Sequence, residues 1–159
     1  MKAGSEMIFT MRRMRIEDVD QVAEIAAGLK DAPHWPRSVY VAALDPAATP
    51  PRVALIAADG ASGEVAGFAV ASVLPPQAEL ESIAVRPVAQ RLGVGSKLID
   101  LLVDDLKAAG VSEVLLEVRA SNRTGLAFYV SRGWRQTGNR SRYYADPEED
   151  AILMSLSLG

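Results

Sequence analysis

The chain has no cysteine among its 159 residues and only one histidine, His34. Without thiols there is no disulfide, no thiolate metal site and no cysteine nucleophile. One histidine excludes a polyhistidine site within a single chain, and no metal is expected. No apolar run reaches the roughly 18 residues that a membrane-spanning helix needs. Residues 1–7 carry one lysine and no apolar segment, so they read as a loose, flexible tail rather than a signal peptide. Excess positive charge is also missing. Seventeen Lys and Arg stand against 20 Asp and Glu, a net charge of −3. No basic field therefore points to direct nucleic-acid binding or to an anionic membrane. A thiol-containing chain would have hinted at redox compartment; this one is compatible with a reducing cytosol, and a cytoplasmic location is expected. What is present is ordinary for a globular protein, 49% hydrophobic and 23% charged residues, over a length that suits one domain, expected at 8–159, with one sizeable core.

The most informative stretch is Gln90-Arg91-Leu92-Gly93-Val94-Gly95-Ser96-Lys97. An apolar, β-branched segment precedes it, Leu80 to Val85. After it, Ile99, Leu102, Val103 and Leu106 repeat at helical spacing. A strand, a glycine turn and a helix start can aim several backbone N–H groups at one point, where the helix dipole adds partial positive charge. Gly93 and Gly95 let an anion approach the backbone, and a phosphate or pyrophosphate is the natural ligand. The pattern is not Walker A, since no glycine lies five residues before Gly95, and it is not G-x-G-x-x-G, since Leu98 holds the third position. On spacing alone these glycines serve equally well as a plain turn into a helix.

Taken in order, Ile8 to Arg13 reads as a strand. Ile16, Val19, Val22, Ala23 and Ala26 share a helical face, and Ala32-Pro33 stops that helix. A short second helix is predicted from Pro36, near its first position, to Leu44. Arg52 to Ala58, Glu64 to Leu74 and Glu79 to Val85 are three strands joined by short turns, an antiparallel meander. The helix after the glycine turn runs to Ala109 and ends at Gly110. Glu113 to Arg119 is a strand, and Asn122 to Arg132 a helix capped by Ser121 or Asn122. Trp134 to Ala145 and Ala151 to Leu158 are the last two strands. The order β-α-α-β-β-β-α-β-α-β-β predicts an α/β (α+β) fold, a mixed, mostly antiparallel seven-stranded sheet flanked by about four helices.

The segments Leu80-Glu81-Ser82-Ile83-Ala84-Val85-Arg86-Pro87, Leu116-Glu117-Val118-Arg119-Ala120-Ser121-Asn122 and Ala127-Phe128-Tyr129, with the glycine stretch between them, resemble the GCN5-related N-acetyltransferase (GNAT) superfamily. The tail Arg142-Tyr143-Tyr144 and Glu149-Asp150-Ala151-Ile152-Leu153-Met154 is similar to its bacterial branch that acetylates the N-terminal alanine of a ribosomal protein. The close resemblance covers about half the chain, Glu79 to Leu156. It implies a V-shaped opening between the fourth and fifth strands and acetyl-coenzyme A as cosubstrate. In the family the pyrophosphate lies on the glycine loop, here the backbone of Arg91, Leu92, Gly93, Val94, Gly95 and Ser96. The pantetheine arm adds to the fourth strand, here at Ile83, Ala84 and Val85. Arg86 departs from the acidic residue or histidine common at its position and is expected near the cofactor phosphates. Asn122 is implied as a hydrogen-bonding partner of the pantetheine arm, a role compatible with capping the helix.

Tyr129, between Phe128 and Val130, suits a core position as well as chemistry. A phenol with a pKa near 10 can also protonate or hydrogen-bond a departing thiolate, and the family motif makes Tyr129 the general acid. Glu117 on its strand suits a solvated or Arg-paired carboxylate. The resemblance makes it the base that takes a proton from the acceptor amine, with Glu81 and then Glu79 behind it. An α-amine, with a pKa of roughly 7.7–8.0, is easier to deprotonate than lysine at about 10.4. The implied acceptor is thus a protein N-terminus, possible alternatives being a small amine, a lysine side chain, or no chemistry at all in an acyl-coenzyme A-binding module. The resemblance implies that His34 and Trp35 lie in the loop where the family's acceptor-binding helices meet, and that Tyr143 and Tyr144 border the groove for the acceptor's first residues; the acidic turn that follows, Asp146 to Asp150, reads as solvated. A monomer or weak dimer is expected.

Overall fold

The computed structural model describes residues 8–159, so the expected tail at 1–7 lies outside it. Strands β1 (Phe9–Arg13), β2 (Arg52–Asp59), β3 (Val65–Leu74), β4 (Gln77–Val85), β5 (Glu113–Arg119), β6 (Arg135–Tyr144) and β7 (Glu149–Ser157) alternate with helices α1 (Val19–Ala27), α2 (Arg37–Ala43), α3 (Val94–Ala108) and α4 (Arg123–Ser131). The element order is the one read from the pattern, with small shifts. The first helix divides into a 3-10 turn, Ile16–Asp18, and α1. Pro36 caps α2 in an extended conformation instead of occupying its first turn. Strand β4 begins two residues earlier than expected, at Gln77.

The strands form one sheet in the order β1-β2-β3-β4-β5-β7-β6. Every pairing is antiparallel except β4 with β5. Both faces of the central strands are covered, which is why β2 and β3 read as continuous apolar runs rather than alternating ones. On β2, Val53, Leu55 and Ala57 face α3, whose Leu98, Leu102 and Leu106 are buried against them. Ala54, Ile56 and Ala58 face α1 and α2, with Val19, Val22 and Tyr40. Fully burying one such aliphatic or aromatic side chain is worth about 1.5–3 kcal/mol.

Asp18, 5% exposed, fixes the turn into α1. Its carboxylate accepts from both Arg12 guanidinium nitrogens, at 2.7 and 2.9 Å, and from the Arg15 N–H at 2.8 Å. Burial opposes the charge, but the Arg12 and Arg15 hydrogen bonds outweigh it and hold the carboxyl below its ordinary value.

The parallel pairing of β4 with β5 is short. Gln77, Ala78 and Glu79 of β4 pair with Glu113, Val114 and Leu115 of β5, and no pair follows. Beyond that point β4 continues against β3 alone, and β5 against β7 alone. The two strands therefore part like the arms of a V with Glu79 at its apex. A bulge assists the parting: Val70 pairs with Ser82 and Ala71 with Leu80, leaving Glu81 extra. The bulge also switches side-chain direction. Ala78 and Leu80 point to the α3 face, whereas beyond it Ile83 and Val85 do so and Ala84 points to the α1–α2 face.

Candidate active site

One wall of the opening is β4. The Arg86 N–H donates to the Ala66 carbonyl of β3 at 2.8 Å. By alternation, Ala84 also directs its N–H and C=O to β3, while Ile83 and Val85 direct theirs into the opening. The Gln90 side-chain amide donates to the Val85 carbonyl at 3.0 Å and ties the glycine loop to this edge. What β4 offers a ligand is thus the Ile83 N–H and C=O and the Val85 N–H.

The glycine loop closes one end of the opening. Arg91 and Gly93 have positive φ, 67° and 82°, and α3 begins at Val94, inside the motif rather than after it. The first helical hydrogen bond runs from the Lys97 N–H to the Gly93 carbonyl, 3.0 Å. The N–H groups of Val94, Gly95 and Ser96 consequently have no acceptor within the helix. Arg91, Leu92 and Gly93 are exposed beside them. A Cβ on Gly95 would stand 3.5 Å from the Phe128 ring of α4, so this helix start faces α4 across a narrow gap. Free N–H groups at a helix start and a free strand edge leading to it fit a ligand carrying a pyrophosphate on a chain of amides.

Arg86 takes no part in this cradle. Its Nε donates to the Val65 carbonyl at 2.6 Å and its Nη1 to Glu24 of α1 at 3.0 Å. The expectation that it lies near phosphates is corrected: residue 86 follows Ala84 in strand alternation and so points to the α1–α2 face.

The other wall carries the titratable groups. Asn122 is the N-cap of α4, and its side-chain oxygen accepts from the Gly125 N–H at 2.9 Å. Its amide nitrogen stays available as a donor. Tyr129, on α4, is 8% exposed and packs between Phe128 and Trp134, ring centroids 5.4 and 5.5 Å away. Burial pushes its phenol well above the ordinary tyrosine value, so it keeps its proton at any physiological pH. It belongs to the core on the α3–α4 face.

Glu117 projects from the opposite face of β5, since Leu116 and Val118 occupy the α3–α4 side. It is half-buried, and Arg140 of β6 approaches its Oε1 to 3.6 Å. The Arg140 guanidinium also lies 5.2 Å from the centroid of the Tyr143 ring. Hydrogen bonding to Glu117 and then that carboxylate's charge raise the Tyr143 phenol above its usual value.

The two other glutamates differ. Glu81 is committed: Arg52 donates to both of its oxygens, at 2.8 and 3.1 Å, which leaves it poorly placed to accept a substrate proton. Glu79, at the apex, is raised above the ordinary carboxylate value by desolvation, then by Glu81 and Glu117. His34 is exposed and its Nε2 lies 2.9 Å from the Leu29 carbonyl of its own loop. Trp35 stacks obliquely on Tyr40, 5.2 Å between centroids. Gln90 opens the glycine stretch read from the sequence, whereas Arg140 and Arg52 carry no mark there as site residues. The only signal for the two arginines is strand register, which composition does not carry.

The acidic turn is only partly solvated. Asp146 and Glu148 are exposed. Glu149 accepts from Arg119 at 3.0 Å and from the Ser121 N–H and hydroxyl, both at 3.1 Å. Asp150 accepts from the Arg142 N–H at 3.0 Å and the Asn139 amide at 3.3 Å. No helix among the described residues is long and apolar enough to cross a membrane.

A parallel strand pair that parts beside a glycine-opened helix start defines the framework of an N-acetyltransferase. The chain belongs to the acetyltransferase (GNAT) family, whose model matches residues 19–134. It is 42% identical over 99 residues to the [ribosomal protein bS18]-alanine N-acetyltransferase of Escherichia coli K12, covering 61% of this chain and 67% of that one. The crystal structure of the ribosomal-protein-S18-alanine N-acetyltransferase from Escherichia coli superposes with a TM-score of 0.80 at 30% identity, covering 96% of this chain and 95% of that one. Chaetomium thermophilum Naa20, solved with a bisubstrate analogue, gives a TM-score of 0.81 at 25% identity over 93% of this chain and 86% of that one.

Proposed function

We propose that this chain acetylates the N-terminal α-amine of a protein, with a ribosomal protein beginning in alanine as its acceptor and acetyl-coenzyme A as donor. The observation that supports this reading is that β4 and β5 part beside Glu117, which projects from the face of β5 opposite the core that holds Tyr129. The similarity to ribosomal-protein alanine acetyltransferases supports the acceptor class.

Acetyl-coenzyme A supplies a thioester-bound acetyl group. The N–H groups of Val94, Gly95 and Ser96, with the loop Arg91-Leu92-Gly93, hold its pyrophosphate. Ile83 and Val85 hold its amide-bearing arm as an added strand, and the Asn122 amide nitrogen donates to that arm. Ala84 supports this edge from within the sheet. The acceptor enters from the α1–α2 face. Glu117 takes a proton from its ammonium, of which about a tenth is already neutral near pH 7. Tyr129, kept protonated by burial, donates toward the sulfur on the other face. The acetyl passes directly to the amine, as no cysteine is present to carry it. Tyr143 and Tyr144 flank the peptide's first residues, and the exposed Asp146 and Glu148 suit a cationic protein tail.

The test is incubation with acetyl-coenzyme A and a panel containing peptides that begin with alanine, peptides with internal lysines, and free polyamines, with added acetyl located by mass. Acetylation confined to the α-amine of the alanine peptides is expected. Preference for a lysine side chain or a polyamine would overturn the acceptor. Glu117→Gln and Tyr129→Phe should each lower kcat about 10²–10⁴-fold with coenzyme A still bound.

A further inference from the structure

The neighbouring carboxylates Glu149 and Asp150 are absorbed by none of the roles above, yet both are engaged in the chain, one toward each side of the site. Strand β6 explains what Asp150 does. Arg140 pairs with Ala151 and Tyr144 with Glu149, so four steps along β6 span only two along β7. The excess is a bulge, and within it Arg142 adopts a left-handed conformation, φ 55°, unusual for a side chain of its size. In an unbroken strand Arg140 and Tyr143 would point to opposite faces. Across the bulge the two side chains come together: Arg140 approaches Glu117 to 3.6 Å, and its guanidinium lies 5.2 Å from the Tyr143 ring centroid. The Asp150 carboxylate holds the bulge from beneath, through the Arg142 N–H at 3.0 Å and the Asn139 amide at 3.3 Å.

Glu149 serves the other side. It fastens the turn between β5 and α4 through Arg119, the Ser121 N–H and the Ser121 hydroxyl. Asn122 and the start of α4 follow immediately, and α4 carries Tyr129. Arg119 in turn lies over the Tyr144 ring, 4.3 Å from its centroid. The main-chain carbonyl of Asp150 accepts from the Ala120 N–H at 3.0 Å and completes the brace.

We propose that Glu149 and Asp150 are positioning residues with divided duties. Asp150 sets the place of Tyr143 and Arg140 against Glu117 and so governs the acceptor. Glu149 sets the β5–α4 turn and so governs the donor through Asn122. This rests on the reading of the two faces given above. Neither carboxylate touches a reacting atom, and each acts through the backbone it holds.

The experiment measures the KM of a peptide beginning with alanine and the Kd of coenzyme A, by calorimetry, for Asp150→Ala and Glu149→Ala. Asp150→Ala should raise the peptide KM about tenfold with the coenzyme A Kd within twofold, and Glu149→Ala should weaken coenzyme A by a similar factor with a smaller change in peptide KM. Asp150→Asn keeps one accepting oxygen for the Arg142 N–H and should recover part of the loss; it also serves if the alanine variant fails to fold. In a double-mutant cycle, the effects of Asp150→Ala and Tyr143→Phe should be less than additive. Full additivity, identical changes in both parameters for the two variants, or a fall in Tm with both parameters unchanged would overturn the proposal. Glu117→Gln assayed alongside separates the two readings: full activity in that variant sinks the role of Glu117, whereas the divided response of Asp150 and Glu149 stands or falls on KM and Kd.

Discussion

Three glutamates border the opening, and their neighbours rather than their identity decide what each can do. Glu81 is held by both nitrogens of the Arg52 fork, Glu117 is approached from one side only, and Glu79 sits desolvated at the apex between two like charges. The raised Glu79 has a consequence for stability. Its folded-state pKa lies above the unfolded value, so above both values its charge costs more in the folded protein, and below both it is neutral in either state and contributes nothing. Glu79→Gln should therefore raise Tm at pH 7, and the gain should vanish below about pH 4, where the unfolded carboxyl is also protonated. Thermal unfolding at pH 7 and pH 3.5 checks this, and a lower Tm at pH 7 would contradict it. Glu117 and Tyr129 stand out in the sequence because they sit in motif-bearing segments. Arg52 and Arg140 do not, because an arginine on a strand carries no mark of the carboxylate that register will bring opposite it. Arg86 was legible as a departure from the family pattern, but its direction depends on the bulge at Glu81, five residues earlier in the chain.

At the scale of the element, the helix start of α3 depends on Gly93. Its φ of 82° is unfavourable for any residue with a Cβ, although a Cβ there would meet nothing within 4 Å. The cost of Gly93→Ala is thus one of conformation rather than crowding, about 1–2 kcal/mol. For a domain of this size that lowers Tm by roughly 2–4 °C per kcal/mol. Gly95 is helical, and its Cβ would make ordinary contact with Phe128, so Gly95→Ala should leave Tm nearly unchanged. Paired melting curves test the difference, and a larger loss at Gly95 would contradict the account. The elements themselves were largely legible, since apolar runs, helical spacing and glycine or proline stops punctuate this chain clearly. The bulges at Glu81 and after Arg140 were not, because one or two extra residues in a strand leave the composition unchanged. Those two irregularities aim the side chains of β4 and β6, so they decide more of the site than the regular strands do.

At the scale of the described residues, helices cover the sheet on both sides, and the parallel pair β4–β5 parts after three residue pairs. Tyr129 belongs to the α3–α4 face with the glycine-opened helix start, and Glu117 to the α1–α2 face with Arg140 and Tyr143. A donor and an acceptor arriving from opposite sides would meet where β4 and β5 part. The order of elements could be read from the pattern and the parting of the strands only from family resemblance, because strand pairing across a crossover leaves no local trace in sequence. The most direct measurement is a crystal structure with coenzyme A and a peptide beginning with alanine. The account predicts the diphosphate on Gly93 to Ser96, the sulfur about 3 Å from the Tyr129 hydroxyl, and the peptide amine on the Glu117 side. A sulfur remote from Tyr129, or both ligands entering from one face, would contradict it.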